Sequence, residues 1–124
     1  MSKEDQMRNL VKRWVEHCNS TQSVEGMEDY LTTDYKWHLN GRNVYGLDAV
    51  KQAFKSLLAE QELTQIAEDI VAQGDKVVVR WSYINKRHSS GETWRSSGVT
   101  IDIVRDGMFA EGWEISSEKA WPTY

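Results

Sequence analysis

The sequence has a single cysteine, a single proline, two phenylalanines, and no apolar run near the roughly 18 residues of a membrane span. Each shortage removes a class of protein. Cys18 alone forms no internal disulfide and no cysteine zinc cluster, which suits a reducing compartment. The polar start Met1-Ser2-Lys3-Glu4-Asp5-Gln6 lacks the apolar core of a secretory signal, so the cytoplasm is the expected location. Basic residues are also scarce: 15 Lys and Arg stand against 19 Asp and Glu, a net charge of −4. That is the wrong sign for a domain that neutralises phosphates, so neither nucleic acid nor a membrane surface is an expected partner. There is no glycine-rich phosphate loop, no nucleophile elbow and no His, Asp and Glu spacing of a metal site; no cofactor or metal is expected. The lone Pro122 sits in the tail and no linker or repeat interrupts the chain, so residues 1–124 read as one domain.

What is present is an ordinary globular composition with an unusual choice of rings. Hydrophobic residues make up 40 % and charged residues 27 %, enough to bury a core, while 6 Trp and 5 Tyr favour rings that carry a polar atom. Such rings suit a partly wet cavity or an interface. Met7, Leu10, Val11, Trp14, Val15 and Cys18 recur at three and four, one stripe of a helix from Ser2 to about Asn19, with Ser2 and Asp5 as a capping box. A short helix is expected over 24–31 through Met27, Tyr30 and Leu31, and a third from Gly46 to about Glu60 through Leu47, Val50, Phe54, Leu57 and Leu58. Between them Tyr35 to Leu39 alternates as a brief strand, followed by the turn-rich Asn40-Gly41-Arg42-Asn43.

After Glu62 the period changes from helix to strand and stays there, the mark of an α+β chain with an antiparallel sheet. Strands are expected over 63–73, 76–88, 93–105 and 108–118, joined at Gly74-Asp75, Ser89 to Glu92 and Asp106-Gly107. A two-residue turn at Asp106-Gly107 places Val104 opposite Phe109, Asp102 opposite Glu111 and Thr100 opposite Trp113, all on one face. Two carboxylates so placed among rings repel, and burial disfavours their charge, so one should exchange protons near neutral pH. The same count from Gly74-Asp75 sets Asp69 opposite Arg80. A four-residue turn at 89–92, however, puts Arg80 opposite Ile101, away from Asp102. A bulge at Gly98, or a connection of three or five residues, restores Arg80 to the Asp102 face. Trp81 and Tyr83 then point outward and are expected to carry a two-fold homodimer interface.

Three runs in the second half, Gly74-Asp75-Lys76-Val77-Val78-Val79-Arg80-Trp81, Asp102-Ile103-Val104-Arg105-Asp106-Gly107-Met108-Phe109 and Glu111-Gly112-Trp113-Glu114, join Tyr35-Lys36-Trp37-His38 and Gly46-Leu47-Asp48-Ala49-Val50 in one order. In that order nearly the whole chain resembles the SnoaL-like branch of the nuclear-transport-factor-2-like superfamily. The resemblance implies an α+β cone: a cystatin-like α+β barrel in which three N-terminal helices pack on a curved mixed or antiparallel sheet, commonly as a dimer. It also implies an apolar cavity, but not one reaction, since that superfamily includes polyketide cyclases, isomerases, dehydratases and non-catalytic modules. Asp102 matches the oxyanion-stabilising acid of its steroid isomerases, whereas their proton-abstracting carboxylate falls here on Leu39. The limonene epoxide hydrolase pattern keeps Arg80 but has Ser82 and Ile115 in place of its two acids, so that mechanism is not expected.

Asp102, Glu111 and His38 are therefore the candidate catalytic groups, with Arg80, Trp113, Trp14, Trp37, Phe54 and Phe109 as candidate contacts for a small apolar or carbonyl-containing ligand. Each has a plainer alternative. Arg80 also suits a structural counter-ion, Glu111 a carboxylate paired with Arg80 or Arg95, and His38 lies beside the inward-looking pair Trp37 and Leu39, which turns it outward unless the strand shifts by one. The expected function is small-molecule binding with acid/base proton transfer on a carbonyl compound. The alternative is a module of the same fold that binds a ligand or dimerises without catalysis.

Overall fold

A computed structural model describes residues 1–122; the last two residues of the expected 1–124 domain lie outside the described residues. Helix α1 (Lys3–Thr21) opens on the capping box: the Ser2 hydroxyl accepts from the Asp5 N–H at 3.0 Å while the Asp5 carboxylate accepts from the Ser2 N–H at 3.4 Å. Met7, Leu10, Val11 and Trp14 are its buried stripe. The helix expected over 24–31 is instead a single 3-10 turn at Met27–Asp29. Gly26 before it takes a φ of 82°, and Leu31 after it already belongs to strand β1 (Leu31–Leu39). The His17 imidazole lies against Gly26, where a side chain would collide with it.

Asn40 and Gly41, both at positive φ, turn β1 back into a short strand β2 (Arg42–Tyr45), which the turn-rich residues there had masked. Helix α2 (Leu47–Glu60) follows, then β3 (Gln61–Gln73), β4 (Lys76–Arg87), β5 (Thr93–Arg105) and β6 (Met108–Ser117). The four long strands form an antiparallel meander, and β1 adds to β6 in parallel, giving the order β2-β1-β6-β5-β4-β3. The result is α+β, with two α-helices and a 3-10 turn in place of three helices, and a mixed sheet.

One extra residue decides which side chains share a face. Asp106 and Gly107 both have positive φ, as a tight two-residue hairpin requires, and Val104 does lie opposite Phe109. The ladder then slips: Ile103 faces Glu111 and Asp102 faces Gly112, so Ala110 is a bulge residue. Phe109 and Ala110 are both 6 % exposed, two consecutive residues turned to the core. Glu111 and Trp113 are thereby sent to the outer face, and Gly112 and Glu114 to the inner one.

The irregularity expected at Gly98 does not exist, because Gly98 stays in register between Trp81 and Ser116. Its missing side chain serves close approach instead: a Cβ there would stand 3.2 Å from the Tyr83 ring and from Ser116. Arg80 therefore faces Val99 on the outer side, where it meets Asp69 at 2.6 Å and covers the Trp121 ring. Trp81 and Tyr83 turn inward, with Trp81 only 5 % exposed, the reverse of the outward aspect expected of them. The outer face shows Ile101, Trp113 and Ile115 instead. Across it the tail is held by the Trp121 indole, which donates to the Trp81 carbonyl at 2.6 Å.

Deleting Ala110 tests the importance of this slip. The shortened strand must bury Glu111 and Trp113 or break its ladder, so urea denaturation followed by circular dichroism should show loss of the cooperative transition.

Candidate active site

Between the helices and the inner face of the sheet lies a cavity of about 380 Å³. Its closed end is made by Val11, Leu31, Val50, Val79 and Phe109, and its open end by the exposed Leu57, Asn40, Ser117 and Glu118. Aromatic faces form the walls. Trp37 stacks on Phe54 with planes 10° apart, Trp81 stacks on Tyr83 at 13°, and Trp14 meets Phe54 and Phe109 edge-on. Among the expected contact residues, Trp14, Trp37, Phe54 and Phe109 thus border one space. The polar atoms of the walls are mostly spoken for: the Trp14 indole donates to Gln65, the Trp81 indole to Thr100 at 2.9 Å, and Gln61 to Asn85, which in turn donates to Ser96.

Two carboxyl groups break the apolar lining. Asp102 looks inward from near the C-terminal end of β5, where its Oδ1 accepts from the Tyr35 hydroxyl at 2.7 Å. Both atoms occupy the space above Gly112, where a Cβ would overlap the Tyr35 oxygen and the Asp102 carboxyl alike. The bulge at Ala110 is what delivers a glycine there. Burial pushes the Asp102 carboxyl up to about 7, helped by the charge of Glu114 and opposed by the bond from Tyr35. Glu114 lies two residues nearer the open end, about 7 Å along the strand. Burial raises it too, while the Tyr83 hydroxyl at 3.2 Å and the Trp37 indole favour its charged form. Tyr35 and Tyr83 are both raised far beyond their ordinary range by burial and by these carboxylates, so they donate protons in hydrogen bonds and keep them.

The other expected catalytic residues are elsewhere. His38 and Glu111 pair with each other at 2.8 Å on the outer face, where Asn43 holds the second ring nitrogen and Trp113 stacks on the imidazole. Asn43 first, then Glu111, raise the His38 pKa, which favours a charged surface imidazolium. The Trp113 ring follows them outward, although part of the residue borders the cavity. Arg80 is bound to Asp69 and does not reach the cavity. Burial drives the Cys18 thiol up to about 12, which removes it as a nucleophile. Glu114, Tyr35, Trp81, Tyr83 and the amides of Gln61, Gln65 and Asn85 are the cavity groups that strand counting missed. The signal was available: the apolar doublet Phe109-Ala110 interrupts the alternation where the slip occurs, and the uncorrected count across Ser89 to Glu92 already turned Trp81 toward the Asp102 side.

Residues 11–112 match the SnoaL-like domain family. Among solved structures, the chain is similar to a candidate polyketide cyclase from Xanthomonas campestris pv. campestris, with 20 % identity, 92 % of each chain covered and a TM-score of 0.78. It is also similar to IdmH, a candidate polyketide cyclase from Streptomyces antibioticus, with 22 % identity, 88 % of this chain and 90 % of that one covered, and a TM-score of 0.77. A designed protein with a curved β-sheet gives a TM-score of 0.70 at 18 % identity, covering 94 % of this chain and 88 % of its own. At such identities the likeness is one of fold alone, a helix-filled cone of sheet that a designed chain also adopts. No curated protein matches the chain.

Two outcomes follow from the geometry. As the pH rises from about 4 to about 7, the unfolded chain has released the Asp102 proton that the folded chain keeps, so stability falls across that window and levels off above it. Glu114 and His38 are also raised and act with the same sign. Thermal unfolding should therefore show greater stability in mild acid than at pH 8, and Asp102→Asn should stabilise the protein at pH 8 by about 2–4 kcal/mol while flattening the profile. Gly112→Ala should part Tyr35 from Asp102 and cost about 2–4 kcal/mol, read as a shift of the urea midpoint. A Gly112→Ala variant as stable as the parent would show that the close approach over Gly112 is not needed.

Proposed function

The chain belongs to the SnoaL-like domain family, and from that premise we propose that it binds a small, largely apolar carbonyl compound and moves a proton on it. The observation that carries this reading is the Asp102 carboxyl, hydrogen-bonded to Tyr35 at 2.7 Å and set among aromatic walls. A carboxylic acid in such a place keeps its proton near neutral pH and can give it to a developing enolate, or share it in a hydrogen bond. Tyr35 fixes the carboxyl and cannot itself ionise beside it. Glu114, held by Tyr83, is the second carboxyl of the cavity and supplies the base that the family resemblance did not find at Leu39. Two carboxyls with different hydrogen-bond partners in one cavity can divide acid and base roles between them. Trp37, Phe54, Trp81 and Phe109 contribute shape and exclude water. His38, Glu111 and Arg80 have no part in the step.

The test is exchange of the hydrogens beside a ketone. Incubated with tetralone in deuterated buffer, the wild-type protein should speed loss of the α-proton NMR signals over buffer alone. Asp102→Asn and Glu114→Gln should each slow it by about a hundredfold. The rate should also fall as the pH rises through about 7, where Asp102 gives up its proton. No acceleration by the wild-type protein would remove the catalytic reading and leave a ligand-binding module.

A further inference from the structure

The charge of the cavity narrows what can enter it. None of the described residues that line it is a lysine, an arginine or a histidine, whereas Asp102, Glu114 and Glu118 run along it from the closed half to the mouth. The ion pairs of the described residues all lie elsewhere, on the outer face, on the helices and at the turns, and none includes Asp102 or Glu114. The partners of these two carboxyls are neutral donors, the Tyr35 and Tyr83 hydroxyls. Hydrogen bonds from neutral groups leave the charge itself uncompensated, and an uncompensated buried carboxylate is costly. Asp102 relieves part of that cost by holding a proton near neutrality. Glu114, raised by the same burial, likewise has no cation among the described lining residues, so a cation carried in by a ligand would favour its charged form.

The walls add a second constraint. Trp37 stacks on Phe54 and Trp81 on Tyr83, with ring centroids 5.3 and 6.1 Å apart within each pair, and all four residues border the cavity. Flat faces suit a flat ring system, and the faces of tryptophan attract cations as well.

We infer that the cavity selects flat ring compounds bearing a protonated nitrogen and rejects anionic ones, with Glu114 as the counter-ion. This rests on the binding half of the function proposed above and adds the charge class of the ligand. The nitrogen sits beside Glu114, toward the mouth, and the ring lies between the stacks with its edge at Asp102. A carboxylate or phosphate ester of the same ring would meet two carboxyl groups and no compensating cation. Acidic substrates and phosphorylated carriers are therefore excluded from the cavity itself.

Three probes that share one ring system separate the possibilities: naphthylmethylamine, naphthalenemethanol and naphthoate, titrated into the full chain by isothermal calorimetry at neutral pH. The amine should bind about tenfold more tightly than the alcohol, and naphthoate should not bind measurably. Glu114→Gln should bring the ratio of amine to alcohol affinity to about one, with far-ultraviolet circular dichroism checking that the variant keeps its fold. Equal binding of amine and alcohol in the wild type, or binding of naphthoate as tight as either, would overturn the charge selection while leaving a ligand cavity in place. Failure of all three probes to bind would overturn both this inference and the binding function beneath it.

Discussion

The hydrogen bond from Tyr35 to Asp102 exists because no side chain stands between them and Gly112. Tyr35 reaches in from β1, Asp102 from β5, and both settle over a position of β6 that carries no Cβ. The early strand β1 thereby meets the β5–β6 hairpin at one point, and the groups that meet are the ones the inner face would otherwise reject. A hydroxyl and a carboxyl facing rings are each unfavourable alone; bonded to one another they satisfy the most demanding atom of each. What remains is a carboxyl that prefers its neutral form, set in a cavity whose shape comes from tryptophans. The chemistry and the packing therefore depend on the same small vacancy.

The two faces of the sheet divide the polar residues by the kind of partner they have. Outside, charges meet opposite charges: Arg80 with Asp69, His38 with Glu111, Arg105 with Asp34. Such exposed pairs add little to stability and keep the sheet's outer surface hydrated. Inside, charge-bearing groups meet only neutral donors, so their protonation responds to burial more than to neighbours. The same residue types thus act as surface solvation on one side and as tunable acids on the other.

Much of this was legible in the chain. The helix stripes, the four long strands and the hairpin at Asp106-Gly107 follow from period and turn chemistry, and the ends of those four strands fall within two residues of expectation, whereas β1 begins four residues before the expected Tyr35. The inward aspect of Asp102, Trp14, Trp37, Phe54 and Phe109 was readable for the same reason. What parity counting could not supply was the slip, since a single added residue inverts every side chain beyond it. Placing that slip at Gly98 instead of Ala110 exchanged Glu111 for Glu114 and turned Arg80, Trp81 and Tyr83 the wrong way. A glycine in a strand can mean a bulge or a close approach, and at Gly98 the Tyr83 ring made it the second. The helix expected over 24–31 failed for a local reason, the left-handed Gly26, which outweighed a weak apolar spacing.

The parallel pairing of β1 with β6 joins the first strand of the chain to its last, and among the described residues β1 has no other strand neighbour than the short β2. During synthesis the early hairpin must consequently wait, without its partner, until the ribosome has released residues beyond Ser117. The site over Gly112 is thus the last part of the fold that the chain can complete, since its floor lies on the strand made last.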